Sequence, residues 1–348
     1  MQQLNSNTKK PLTIIIVIIA AMVLLTALAS FGVLNPYVQS VLISVGINII
    51  FASSLNIVNG YMGEFSCGHA GFMAVGAYVS SVLSLICFNE NKFTGSALFP
   101  PQVSFIIFPV IVLIGGIAAA IMGLIIAIPS FKTRDDYLAI ITLAANYIIV
   151  TAINNLEPIG GSRGLMGMKG TIFAMTDTIP IAWMFLWVMI FVLVCIVAIR
   201  RLMGSVLGKG ISTIRYDEIS AEIMSVNTNK MKLLAFMFSS GLAGIGGALF
   251  AHQLGFINPA SFNIMKSTEG MVMVYLGGMG SLTGSVFAAI LFTFLLEAMR
   301  PLQIFKWVVI PLLLILLMQF RPEGLMGNKE LPQLIDKFKA RKANKGRQ

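Results

Sequence analysis

One glycine-rich stretch carries the side chains of this sequence that are best suited to chemistry or binding. It reads NGYMGEFSCGHAGFMAVGAY at residues 59–78 and places a carboxylate, Glu64, and an imidazole, His69, between two apolar runs. On an unbroken helix these side chains would lie about 140° apart, so they form no obvious catalytic or metal-binding pair. Glycine-rich backbone at membrane depth persists only where other protein or a water-filled cavity satisfies it. The stretch therefore predicts either a pathway lining or a close approach of helices.

Both interpretations stay open for the same residues. The candidates are Gly60, Gly63, Glu64, Gly68, His69 and Gly71.

The sequence lacks the patterns of the common enzyme classes. Residues 204–210 read GSVLGKG, which is one residue short of a phosphate-binding loop, and Gly210 stands where a magnesium-binding Ser or Thr is needed. There is no HExxH pattern and there are no paired cysteines, so neither a metal nor a cofactor is expected. The chain is not predicted to be an enzyme. The second histidine, His252, is expected to be an interfacial residue at the end of a helix.

The composition predicts a membrane protein. Of the 348 residues 57% are hydrophobic and only 11% are charged, with a mean hydropathy of +0.88. Ordinary soluble domains carry roughly 25% charged residues. Apolar runs of about 20 residues recur, each long enough to cross a bilayer as a helix. The predicted spans lie near residues 11–34, 38–58, 65–87, 102–128, 136–154, 179–200, 233–253, 268–280, 284–299 and 303–320.

The expected fold is an all-α, polytopic transmembrane helical bundle of about 8–10 spans that includes short broken helices. The apolar run at residues 11–29 resembles a secretory signal but exceeds the roughly 7–15 residues of a signal core. It is therefore predicted to be an uncleaved first span.

The positive charges predict the orientation of the chain. Of the 24 Lys and Arg residues, 18 fall near residues 9–10, 132–134, 200–232 and 321–347. The positive-inside rule places such clusters in the cytoplasm. The chain is accordingly divided into a cytoplasmic segment 1–10, a transmembrane domain 11–320 and a basic cytoplasmic tail 321–348. Both termini are predicted to be cytoplasmic.

A second glycine run interrupts the last third of the chain. Residues 277–284 read GGMGSLTG, and consecutive glycines weaken a helix by about 1 kcal/mol each relative to Ala. Two short segments that meet at this break keep the basic tail on the cytoplasmic side. The residues assigned to the break are Gly277, Gly278, Gly280 and Gly284.

Residues 200–232 form the longest loop that is predicted to lie in the cytoplasm between spans. An approximately helical spacing is followed by Ile211, Ile214, Ile219, Ile223 and Met224. This spacing predicts a short amphipathic helix beneath the membrane. It either covers the bundle passively or docks a cytoplasmic partner.

Charges within the spans are scarce. Glu269 and Glu297 can pair with Lys266 and Arg300 at three-residue spacing. Buried carboxylates or lysines at midspan, which a proton-coupled carrier usually needs, are missing. The driving energy is therefore expected to come from another protein.

Several motifs together resemble the permease subunits of bacterial ABC importers for branched-chain amino acids, in particular the longer of that system's two paired permeases. The stretch at residues 59–72 is similar to the family's NGYxGxxSxGHAxF. TRDDYLAI at 133–140 resembles TRGDYxAI with Asp135 in place of Gly, and GGSRGL at 160–165 resembles TGGxxGL with Ile159 in place of Thr. Further similar motifs lie at residues 214–222, 232–236, 276–284 and 320–325.

The resemblance implies a multisubunit importer in the bacterial inner membrane, with residues 11–320 as its permease domain. Its partners would be a second related permease, two cytoplasmic ATP-binding subunits and an extracytoplasmic solute-binding protein, within membrane lipid and without nucleic acid. Residues 212–225 would form the coupling helix that docks on the ATPase. The residues assigned to coupling are Ile214, Arg215, Asp217, Glu218, Ala221 and Glu222.

The expected cargo is leucine, isoleucine and valine. The alternative is the same architecture carrying urea, amides or other amino acids. A self-sufficient secondary carrier is a further alternative.

Overall fold

The computed structural model describes most of the apolar part of the chain. Predictions for residues 1–10, for most of the first span at 11–34, for residues 133–136 and for most of the tail after 320 lie outside the described residues. The described residues are 26, 29–30, 32, 34–88, 97–132, 137–320 and 324–327.

Apolar runs become helices, because a helix satisfies its own backbone hydrogen bonds. The first of these helices starts at Pro36, and the Asn35 side chain before it accepts a hydrogen bond from Tyr37 N. In chain order the α-helices are α1 (Pro36–Asn56), α2 (His69–Phe88), α3 (Ser104–Ser130), α4 (Tyr137–Asn155), α5 (Lys169–Thr178), α6 (Trp183–Gly204), α7 (Val206–Ile214), α8 (Glu218–Ile223), α9 (Thr228–Leu254), α10 (Ile264–Gly277), α11 (Leu282–Ala298) and α12 (Lys306–Phe320).

Two short strands and several 3₁₀ turns connect the helices. The strands β1 (Leu165–Met166) and β2 (Phe256–Ile257) pair antiparallel, with Leu165 opposite Ile257. The 3₁₀ turns are Pro101–Val103, Glu157–Ile159, Gly161–Arg163, Pro259–Phe262 and Arg300–Phe305.

Within the described residues, six helices are long and apolar enough to cross a membrane. They are α1 with its extension to Met62, α2, α3, α4, α6 and α9, and the apolar helix α11 is shorter. The predicted all-α, polytopic fold class is confirmed.

The most buried helices are α1 and α9, whereas α4 and α6 expose much of their surface. Helix α9 packs against α1, α2 and α3. Isoleucines on the outer face of α3, such as Ile106, Ile117 and Ile125, are more than half exposed. Such a face suits contact with lipid hydrocarbon.

Backbones approach very closely where α9 crosses α2. A Cβ at Gly247 would lie 1.9 Å from the Met73 carbonyl oxygen, and one at Gly76 would lie 2.2 Å from the Gly244 carbonyl oxygen. Small residues permit such contacts between membrane helices, where packing supplies much of the association energy. These glycines fix the centre of the bundle.

The charges near the spans pair as predicted. Lys266 Nζ lies 2.8 Å from Glu269 Oε2, and Arg300 Nη1 lies 3.0 Å from Glu297 Oε1. The expectation for His252 is wrong. Its side chain is fully buried on α9, its Nδ1 lies 2.8 Å from the Ala248 carbonyl oxygen, and its ring packs edge-on against Phe108. His252 lies near the end of a long helix and was therefore expected at the membrane interface, but α3 covers it.

We expect Gly247→Val to lower the stability of the purified protein by about 3 kcal/mol, since the new side chain meets backbone that cannot rotate away. Thermal unfolding in detergent, followed by intrinsic fluorescence, measures the effect. Gly204→Val is the matched control, because a Cβ there has no neighbouring atom within 4 Å. Equal shifts in the two variants would contradict the assigned close approach.

Candidate functional site

The glycine-rich stretch breaks the helical path between α1 and α2. Helix α1 continues as a π-helical turn over Ile57–Met62, and the chain then turns at Gly63, whose φ of +82° favours glycine. Residues 63–68, hereafter the 63–68 segment, are not helical. The Asn59 side chain accepts a hydrogen bond from Ser66 N at 3.1 Å, and Thr142 Oγ1 accepts one from Cys67 N at 3.1 Å. Polar side chains therefore replace the missing helical hydrogen bonds.

The second break lies between α10 and α11. The chain leaves the helix after Gly277, passes Gly280 at φ +79° and re-enters a helix at Leu282. The Asn56 side chain binds backbone groups inside the gap, since its amide nitrogen donates to the Ser281 carbonyl oxygen and its oxygen accepts from Gly280 N, both at 3.0 Å. One side chain of α1 thus stabilises the second break.

Residues near the C-terminal end of the described chain complete the second break. Leu325 N donates to the Leu276 carbonyl oxygen at 2.8 Å, and Met326 N donates to that of Gly277 at 3.2 Å. A Cβ at Gly324 would lie 2.6 Å from Gly278 Cα. The carbonyl groups at the end of α10 are therefore bound by the turn that follows α12.

Arg215, in the turn between α7 and α8, lies against both breaks. Its Nη1 donates to the Met279 carbonyl oxygen at 3.3 Å. A Cβ at Gly63 would lie 2.8 Å from Arg215 Cγ, and one at Gly280 would lie 2.7 Å from its Nη1. Arg215 is thus a physical connection between α7–α8 and the two non-helical segments.

Lys232 forms an ion triad at the same end of the bundle. Its Nζ lies 2.6 Å from Glu64 Oε1 and 2.8 Å from Glu218 Oε2, and it also lies 5.8 Å from the centre of the Phe131 ring. The Lys232 side chain is 9% exposed, against 23% for Glu64 and 43% for Glu218. Residue types in the sequence did not single out Lys232, because its partners are 14 and 168 positions away.

The triad borders a cavity of about 1050 Å³ at this end of the bundle. Its wall includes charges of both signs and apolar side chains from the 63–68 segment, the end of α3, α4, α8 and the start of α9. The charged lining residues are Glu64, Lys132, Arg215, Asp217, Glu218, Glu222 and Lys232.

His69 lies away from Glu64 and from the cavity. Its side chain is buried between the rings of Phe51 and Phe72, and its Nε2 lies 2.8 Å from Ser54 Oγ. Because Ser54 Oγ donates its proton to the Phe51 carbonyl oxygen, it must accept one from His69 Nε2. His69 therefore anchors the start of α2 to α1.

The candidate glycines are positions of close contact in this conformation. A Cβ at Gly60 would lie 2.5 Å from Gly280 N, and one at Gly68 would lie 2.0 Å from the Thr142 carbonyl oxygen. Gly71 also faces α4, with 2.9 Å to the Asn146 side-chain oxygen. These contacts support the interpretation that the glycines permit close packing. A role of the same glycines in lining a pathway stays a proposal.

Gly277 and Gly284 face each other across the second break. A Cβ at either residue would lie 2.3–2.4 Å from the carbonyl oxygen of the other. In the sequence, these residues stood out because several glycines occur close together, which predicted a helix break. The structure shows in addition that each glycine lets the other helix approach closely.

Residues 212–225, which the resemblance assigned to one coupling helix, do not form a continuous helix. Helix α7 ends at Ile214, and α8 begins at Glu218 with Asp217 as its N-cap. Hydrogen bonds from the Ser220 hydroxyl and from backbone N–H groups lower the pKa of the Asp217 carboxyl, which keeps the cap ionised at neutral pH. Two helices with a capped turn replace the single helix that apolar spacing suggested.

The residues assigned to coupling have different environments. Ile214 and Ala221 are buried, Glu218 binds Lys232, and Glu222 accepts a hydrogen bond from Thr228 at 2.7 Å. The strongly exposed apolar side chains near α8 are Tyr216, Ile219, Ile223 and Met224, at 72–80% exposure. Three of these four belong to the helical spacing that predicted an amphipathic helix.

No group of three or more His, Cys, Asp or Glu side chains suited to a metal ion occurs among the residues that the structure describes.

Sequence comparison identifies the class of protein. The family described as "Branched-chain amino acid transport system / permease component" matches residues 37–318. The chain belongs to this family and is a multi-pass membrane protein. No solved structure gives a significant match.

The relatives include two kinds of permease. The chain is 31% identical over 304 residues to the high-affinity branched-chain amino acid permease protein LivM of Escherichia coli K12, covering 80% of this chain and 68% of the relative. It is 23% identical over 328 residues to a probable LivM of Methanocaldococcus jannaschii, covering 84% and 94%. LivH of Escherichia coli K12 is 26% identical over 131 residues, covering 37% and 42%.

We expect Gly68→Ala to reduce solute uptake and thermal stability, because even the single methyl group of the new alanine would collide with the α4 backbone. Gly68→Leu should lower both further. Uptake by cells expressing equal amounts of each variant measures the effect, and Gly210→Ala, where the Cβ has ordinary contacts at 3.5 Å, is the control. Normal uptake by Gly68→Ala together with loss in Gly68→Leu would instead favour obstruction of a pathway.

Proposed function

We propose that this chain is one of two paired permease subunits of an ABC importer for leucine, isoleucine and valine. The other subunits would be a related permease, two cytoplasmic ATP-binding subunits and an extracytoplasmic solute-binding protein. Family membership supports the role in transport, and the names of the LivM relatives support the branched-chain cargo.

The observation that carries the proposal is the exposed apolar surface around α8. Tyr216, Ile219, Ile223 and Met224 expose 80%, 72%, 77% and 79% of their surface, although the opposite side of α8 is bound to the bundle through Ala221 and Glu218. Clustered exposed apolar side chains mark interaction sites. A groove on an ATP-binding subunit is the occupant that fits a permease without its own nucleotide-binding motif.

The charge distribution supports a cytoplasmic location for this end of the bundle. Arg200, Arg201, Lys209 and Lys230 are exposed near α7–α8. Positive residues beside spans favour the cytoplasmic side. This orientation brings α8, the cavity and both breaks within reach of a cytoplasmic ATPase.

The contacts suggest how ATP hydrolysis would act on the membrane part. Closure of the two ATPases would displace α8, and Arg215 would transmit the displacement to the 63–68 segment and to residues 278–281. Packed helices respond to such a displacement as rigid bodies. The shift would open or close a pathway next to the glycine-rich stretch. Such a pathway must bind the solute weakly enough to release it.

We expect Ile219→Asp to abolish copurification of the ATP-binding subunits, since a carboxylate would be desolvated in an apolar contact. Val206→Asp is the control, because Val206 is 83% exposed on α7 outside the α8 surface. Affinity purification in detergent followed by mass identification of the bound subunits is the measurement. Equal recovery of the ATP-binding subunits with both variants would contradict docking on α8.

The cargo is tested with the assembled importer in vesicles. ATP-dependent uptake of labelled leucine, with no uptake of urea, is expected. Uptake of urea instead would replace the proposed cargo. Uptake by this chain alone without ATP would indicate a secondary carrier.

A further inference from the structure

Lys232 is shared by several elements at the end of the bundle that carries α8. Its ammonium group binds Glu64 in the 63–68 segment at 2.6 Å and Glu218 on α8 at 2.8 Å. An ammonium group has three donors and no acceptor, so one lysine can bind two carboxylates at once. Lys232 therefore links α8 to the glycine-rich break through its own helix, α9.

Because Lys232 is buried, losing either ion contact is energetically costly. Lys232 is 8% exposed, and a buried charge that loses its partner is strongly disfavoured. The two carboxylates also repel each other unless the ammonium group lies between them. A displacement of Glu218 that left Glu64 behind would therefore cost one ion contact, whereas a joint displacement preserves both.

Aromatic rings extend this link toward the interior. Lys232 lies against the Phe131 ring, whose centre is 5.8 Å from that of Phe236. The Phe236 ring lies 5.4 Å from that of Phe72, which in turn lies 6.1 Å from His69. A continuous set of ring contacts thus joins Lys232 to the start of α2, on the other side of the 63–68 segment.

We propose that Lys232 is a positioning residue that makes α8 and the 63–68 segment move together. The inference rests on the proposed docking of an ATP-binding subunit on α8. Lys232 contacts neither solute nor nucleotide in this role. It converts a displacement of α8 into a displacement of the break between α1 and α2.

The test measures coupling separately from assembly. Glu64→Gln removes one arm of the triad with little change in shape, and Lys232→Met removes the centre. In the importer reconstituted in vesicles, both variants should retain the ATP-binding subunits, while the leucine transported per ATP hydrolysed falls by about tenfold, within the range of coupling between sites. Lys232→Arg keeps the positive charge and can still donate to both carboxylates, so it should retain more of the wild-type ratio than Lys232→Met does.

Matched controls exclude a general effect of charge removal. Lys230→Met changes an exposed lysine two residues away on α9, and Glu157→Gln changes an exposed glutamate elsewhere. Both should transport like the wild type.

The inference is overturned if Glu64→Gln and Lys232→Met both keep the wild-type ratio. Should Lys232→Met fail to fold, Glu64→Gln alone decides, because its amide preserves the side-chain shape. A wild-type chain that neither retains ATP-binding subunits nor imports leucine would instead overturn the proposed function. The two failures are therefore distinguishable.

Discussion

The structure depends on satisfying backbone polar groups where two helical paths stop inside an apolar bundle. A buried amide or carbonyl without a partner costs about 1–3 kcal/mol, so a break needs dedicated polar side chains. Asn56 binds two backbone groups of the second break, and Asn59 binds the first. Arg215 and the turn at residues 324–327 supply further donors. The two breaks are thereby joined into one unit.

This arrangement places glycines with unusual backbone angles next to the charged residues at one end of the bundle. Glycine supplies the positive φ at Gly63 and Gly280, and the absence of a Cβ lets Arg215 lie against both. A larger residue would push apart α7–α8 and the breaks even if the backbone angle were tolerated. The same positions therefore serve conformation and contact together, which explains why the glycine-rich stretch could not be interpreted from backbone propensity alone.

Much of the fold follows from the sequence, because hydropathy and helix length are local properties. The long helices, the pairs Lys266–Glu269 and Glu297–Arg300, and the all-α class were accessible in this way. The split between α7 and α8 was less accessible, since apolar spacing continues across a turn that the Asp217 cap creates. The burial of His252 and the ion triad of Lys232 depend on neighbours far along the chain. A single sequence carries no direct signal for such contacts.

The turn after α12 has a consequence for handling the protein. Leu325 N and Met326 N bind carbonyl oxygens at the end of α10, and Gly324 lies against Gly278. Residues 324–327 are thus an integral part of the bundle rather than the first residues of an appended tail. A shortened expression clone that stopped at the last helix would leave the Leu276 and Gly277 carbonyl groups without these donors, so purification tags and fusion partners belong beyond position 327.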